Sequence, residues 1–123
     1  MKTLIYIGGF YCIAFAVFHL AFWRLFDWRR ELLKLKPVNR GVLQVLNLRL
    51  TYVFLVVGFL CFFLPQDLLT TRLGLVLLGA VSLFCLMRAI EQLIFWKFDK
   101  ISAAFVGLFL LGAGIFAVPL VWL

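Results

Sequence analysis

The chain has 123 residues, of which 67% are hydrophobic and 14% charged, with a formal charge of +7 and a mean hydropathy of +1.17. A water-soluble domain of this size could not hide so much apolar surface, and the charged fraction falls well below the roughly 25% usual for soluble proteins. In a bilayer core every backbone group must pair internally, which leaves helices or closed barrels. The apolar runs here are long and continuous and do not alternate as barrel strands would, so the fold class is all-α.

The pattern predicts four membrane-spanning helices over residues 3–26, 40–64, 71–96 and 101–123, a single transmembrane domain arranged as an antiparallel four-helix bundle. Each run exceeds the ~20 residues that cross a ~30 Å hydrocarbon core. The first begins like a secretory signal, with Lys2, an apolar stretch and Ala14-Phe15-Ala16. It continues about ten residues too far for a signal h-region, and is read as a retained helix. The second run follows Pro37 and is closed by Pro65-Gln66-Asp67, residues that do not continue a helix. Thr70 or Thr71 is placed to cap the third. Lys97-Phe98-Asp99-Lys100 forms a short polar turn before the fourth, with Asp99 or Ser102 as its cap. Short connections make neighbouring helices antiparallel.

Charge placement gives orientation. Six of the twelve basic residues, Arg24, Arg29, Arg30, Lys34, Lys36 and Arg40, lie in and beside the first connection, and Lys97 and Lys100 lie in the third. The opposite side has Lys2 and Arg72. The positive-inside rule puts both termini on the non-cytoplasmic side of the membrane. Trp23, Trp28 and Trp96 flank the same basic edge, as interfacial aromatics do. Clustering of this kind selects anionic lipid headgroups as neighbours and argues against nucleic acid. Cys12, Cys61 and Cys85 fall on three different runs without a C-x-x-C spacing, and read as small buried hydrophobes.

The functional signal is a set of polar residues inside the spans. Arg40, Gln44, Asn47 and Thr51 follow an i, i+4, i+7, i+11 spacing and share one helical stripe, continued by Gly58. Lipid-facing amides are costly, so this stripe is expected to face the bundle interior. Arg49 lies on the opposite face, where it snorkels to the interface or meets a partner chain. His19 is the sole histidine, and Arg88, Glu91 and Gln92 mark the third span. Measured at ~1.5 Å per residue, His19 lies about 8 Å in from Arg24, Glu91 about 9 Å in from Lys97, and Gln44 and Asn47 about 6–10 Å in from Arg40. These depths predict one polar layer in the cytoplasmic half. His19 and Glu91 are its acid–base candidates. Arg40, Gln44, Asn47, Arg88 and Gln92 are its ligand-binding candidates, with Arg88 suited to a carboxylate or phosphate. The structural alternative is a polar lock, in which Arg88 and Glu91 neutralise each other as i, i+3 neighbours and the amides tie helices together.

The segments Phe18-His19-Leu20-Ala21-Phe22-Trp23, Asn39-Arg40-Gly41-Val42-Leu43-Gln44-Val45-Leu46-Asn47 and Arg88-Ala89-Ile90-Glu91-Gln92 resemble small bacterial four-helix membrane proteins with no assigned activity. In architecture the chain is loosely similar to DoxX-like membrane proteins. Small multidrug resistance transporters match in length and span number, but their carboxylate is in the first helix, where this chain has no acid. Three functions compete. The first is binding or processing of a lipid-like or quinone-like molecule by the polar layer. The others are an accessory or structural subunit of a larger membrane complex and a proton-coupled transporter working as a homo-oligomer. No metal or other cofactor is expected, since one histidine and one nearby carboxylate do not complete a metal or haem ligand set.

Overall fold

A computed structural model of the chain describes residues 1–97 and 99–122 and is all-helical, with no strand among the described residues. The elements are α1 (Lys2–Leu20), α2 (Phe22–Leu25), α3 (Trp28–Glu31), a 3-10 turn (Leu32–Lys34), α4 (Pro37–Phe63), α5 (Pro65–Thr70), α6 (Arg72–Phe95) and α7 (Lys100–Trp122). Four of these, α1, α4, α6 and α7, are long and apolar enough to cross a membrane. At 1.5 Å per residue they measure about 28 to 40 Å.

The last three long helices fall within a few residues of their expected limits. Pro37 proves to be the first residue of α4 and does not precede it, because its missing N–H and fixed φ suit a helix start. Pro65-Gln66-Asp67 follows the end of α4 at Phe63, as expected, and by the same logic also opens α5, with Pro65 at its first turn. Thr71 caps α6, its Oγ1 accepting from Gly74 N at 2.9 Å. Asp99 caps α7, its Oδ1 accepting from Ser102 N at 2.8 Å. Phe98 of the polar turn and Leu123 at the end of the fourth run lie outside the described residues.

The first helix departs from its expected limit at 26. α1 ends at Leu20, and the remainder refolds as the single turn α2 followed by Asp27 in the left-handed region, φ 51°. An aspartate tolerates that conformation better than most residues. The segment beyond, expected as an open connection, is folded as α3 and the 3-10 turn, with Trp28 and Leu32 buried. Its ion pairs, Arg30–Asp27 at 3.9 Å and Lys34–Glu31 at 3.3 Å, are exposed and each contribute at most about 1 kcal/mol.

The chain divides into two compact units. In the unit Gly9–Phe59, α1 and α4 run antiparallel: Ile13 meets Gly58, Phe15 lies 5.7 Å from Phe54, and His19 bonds Asn47. A Cβ on Gly58 would come within 2.7 Å of Ile13, so glycine permits the approach. The core holds Cys12, Phe15, Ala16, Trp28, Leu32 and Phe54.

The other unit comprises Met1–Gly8 and Leu60–Leu123. There α6 and α7 are antiparallel, since Gln92 bonds Ser102 while Ser82 bonds the carbonyl of Ala113. Gly74, Leu78, Cys85, Ala89 and Gln92 form the buried face of α6, spaced as one helical stripe. Against α5 the packing is closest at Gly74, where a Cβ would lie 2.5 Å from the Asp67 carbonyl and the Leu68 Cα.

Candidate functional site

The polar stripe of α4 lies as expected for an inward face. Asn47 and Thr51 are buried, and Arg40 and Gln44 are half-buried. Each of these four has its own partners. Asn47 Nδ2 donates to the carbonyl of His19 at 2.9 Å. That carbonyl belongs to the last turn of α1, where helix carbonyls lose their intrahelical donors. Thr51 Oγ1 donates to the carbonyl of Asn47 at 2.9 Å. Gln44 accepts from Trp23 Nε1 and donates to the Arg40 carbonyl, both at 3.2 Å. Arg40, expected to hold a ligand, donates from Nε to the Leu32 carbonyl at 2.9 Å and from Nη2 to the Leu35 carbonyl at 3.2 Å. It therefore fastens the 3-10 turn to the start of α4.

His19 is half-buried among rings, with Phe22, Phe54 and Phe18 at centroid distances of 4.7, 5.2 and 5.8 Å. Its Nδ1 lies 2.7 Å from the carbonyl of Phe15. A carbonyl only accepts, so this contact places a proton on Nδ1.

The other unit contains Arg88, Glu91 and Gln92. Gln92 is buried and donates to Ser102 Oγ at 3.0 Å, joining α6 to α7. Glu91 is exposed and forms no ion pair within 4 Å among the described residues, although its charge is felt at Arg88. The neutralising contact expected between Arg88 and Glu91 is therefore not formed as a direct pair. Arg88 instead lies against two rings, its Cζ 4.9 Å from the centroid of Trp96 and 4.7 Å from that of Phe109. Each cation–π contact contributes on the order of 0.5–2 kcal/mol. Neither satisfies an N–H. Arg88 Nη1 is buried without a hydrogen-bond partner among the described residues.

This difference separates the candidates chemically. His19, Gln44, Asn47 and Arg40 bond backbone carbonyls, Gln44 also the Trp23 indole, and they tie their unit together. Arg88 presents a planar, permanently charged fork against aromatic faces, and its buried Nη1 has no acceptor among the described residues. Leaving such a donor buried and unsatisfied costs about 1–3 kcal/mol, more for a charged group. An oxygen acceptor brought to Nη1 would recover that cost.

Several contributors were not anticipated from sequence. Phe109 carries no polar signal and stands 21 positions from Arg88; only the α6–α7 packing identifies it. Trp96 was read as an interfacial anchor, and its second role as a wall for Arg88 follows from the i, i+8 relation at a helix end. Ser102 was read as a cap candidate, and it is also the acceptor for Gln92. Comparison with protein-family models gives no match, and comparisons with curated proteins and with solved structures give none either. The functional reading therefore rests on these residues.

Proposed function

We propose that this chain is an integral protein of a bacterial cytoplasmic membrane, an antiparallel bundle of four spans, in which Arg88 receives the acidic head of a lipid-like molecule. One observation carries the reading: the buried Nη1 of Arg88 has no acceptor among the described residues, while two rings hold the guanidinium in place. Ionisable groups inside a membrane are costly and usually mark a ligand path or a partner. A carboxylate or phosphate matches the guanidinium in charge and geometry. A quinone carbonyl supplies an acceptor without the compensating charge, and is the weaker fit.

The reading assigns binding and no reaction. Trp96 offers a direct test, because it forms one wall around Arg88. A fatty acid brominated next to its carboxylate should quench Trp96 fluorescence saturably in nanodiscs of neutral lipid. Arg88→Gln should remove the saturable component, and Trp96→Phe should identify its source. Quenching that rises linearly in wild type, as free partitioning gives, would sink the proposal.

A further inference from the structure

One face of α7 carries a groove. It encloses about 300 Å³ and is lined, among the described residues, by Lys100, Ile101, Ala104, Phe105 and Leu108. Their i, i+1, i+4, i+5, i+8 spacing makes them a single row on the helix. Ala104 is the smallest of the five and leaves the floor low. Phe105 is braced from within its own helix by Phe109, the two rings stacked at 6.1 Å between centroids.

Charge is confined to one end of the groove. Lys100 is the first residue of α7, is exposed, and forms no ion pair within 4 Å among the described residues. Lys97 of the same connection is also exposed, against one acidic neighbour, Asp99, which caps α7. Beyond Lys100 the lining is apolar as far as Leu108, about 12 Å along the helix. That length approaches the ~15 Å of hydrocarbon in one leaflet. Size decides what can lie there. An α-helix is ~10–12 Å across with its side chains and would not enter so narrow a slot. A single extended alkyl chain does, and a polar head at its outer end would meet the ammonium group. Net positive charge beside the slot favours an anionic head.

We propose that this groove of α7 holds one acyl chain of an anionic phospholipid, with the lipid phosphate against Lys100. The chain runs inward over Ala104, between Ile101, Phe105 and Leu108, and the head stays at the membrane edge where α7 begins. The site depends on the membrane-spanning part of the function proposed above and not on Arg88.

Filling the groove gives the test. Delipidated protein in a neutral detergent is titrated with dioleoyl-phosphatidylglycerol, and bound lipid is counted by native mass spectrometry. Wild type should bind a molecule that Ala104→Trp weakens at least about tenfold, because a filled groove excludes several methylenes. Lys100→Gln should weaken it about fivefold, the share of one basic residue at a lipid surface. Dioleoyl-phosphatidylcholine should bind wild type more weakly by a similar factor. Ala103→Trp adds the same bulk at an exposed position outside the groove, and it should leave the binding unchanged, as should Arg88→Gln. If Ala104→Trp lowers helix content by circular dichroism, Ala104→Leu replaces it with the same expectation. Equal effects of the two tryptophans, or phosphatidylcholine binding as tightly as phosphatidylglycerol, would overturn the site. A dimer broken by Ala104→Trp would put a second copy in the groove and overturn it too. Loss of the lipid in Arg88→Gln but not in Ala104→Trp would assign it to Arg88, leaving that reading intact and the groove without its occupant. Failure of the protein to float with reconstituted vesicles would instead overturn the membrane reading on which the site depends.

Discussion

Asn47 and Arg88 are both polar side chains on the inward stripes of long apolar helices, and the sequence marks them equally. What distinguishes them is the fate of their donors. Asn47 is buried and bonds the His19 carbonyl at 2.9 Å, while Arg88 keeps a buried Nη1 without an acceptor among the described residues. Asn47→Ala should therefore lower stability by about 1–2 kcal/mol, the range for an interhelical bond whose acceptor is left buried. Denaturation followed by circular dichroism in mixed micelles checks this, and the same variant should keep any Arg88-dependent ligand. Arg88→Gln removes a charge that forms no salt bridge among the described residues and loses only two ring contacts, so its effect should fall on binding more than on stability. The polarity of both positions was legible because each interrupts an apolar run. The fate of their donors was not, since Asn47 finds its acceptor 28 positions away and Arg88 packs on a ring 21 positions away. Glu91 shows the same limit. Its spacing made it a neighbour of Arg88, but exposure depends on which arc of α6 faces α7.

At the scale of elements, the long helices were legible from continuous hydropathy and from their caps, and Thr71 and Asp99 perform the roles their chemistry suggests. The end of α1 was not legible, because apolar residues continue to Phe26 while the backbone turns at Ala21 and again at Asp27. The break is supported by Asn47 on another helix, which no local pattern could reveal. The basic connection hid a second structural role in the same way. Arg40 looked like a ligand-binding cation, and its donors instead hold the carbonyls of Leu32 and Leu35. Glycines make the clearest contrast at this scale. Gly74→Ala should destabilise by about 1–3 kcal/mol, because the added carbon meets the backbone of α5 and cannot be relieved by a side-chain rotation. Gly107→Ala and Gly114→Ala meet nothing within 4 Å and should stay within about 0.5 kcal/mol. Thermal melts of the three variants under one set of conditions decide the comparison.

For the whole molecule, four helices of sufficient length and apolarity are the firm result; insertion and orientation are consequences of the proposed function. Under that proposal, the basic residues between α1 and α4 put this connection on the cytoplasmic side. A single cysteine replacing Lys34 should resist a membrane-impermeant thiol reagent applied to intact cells. One replacing Asp67 should react, against a background in which Cys12, Cys61 and Cys85 are buried. The reverse pattern would invert the topology, and the polar positions would then belong to the outer half of the bilayer.

The account depends most on Arg88 being a binding group, and native mass spectrometry of protein extracted gently from its own membrane addresses that directly. Wild type should carry an acidic amphiphile of defined mass, absent from Arg88→Gln, diminished in Arg88→Lys, and retained in Asn47→Ala. An adduct that survives Arg88→Gln, or a wild-type protein that is ligand-free under every mild extraction, would contradict the central claim.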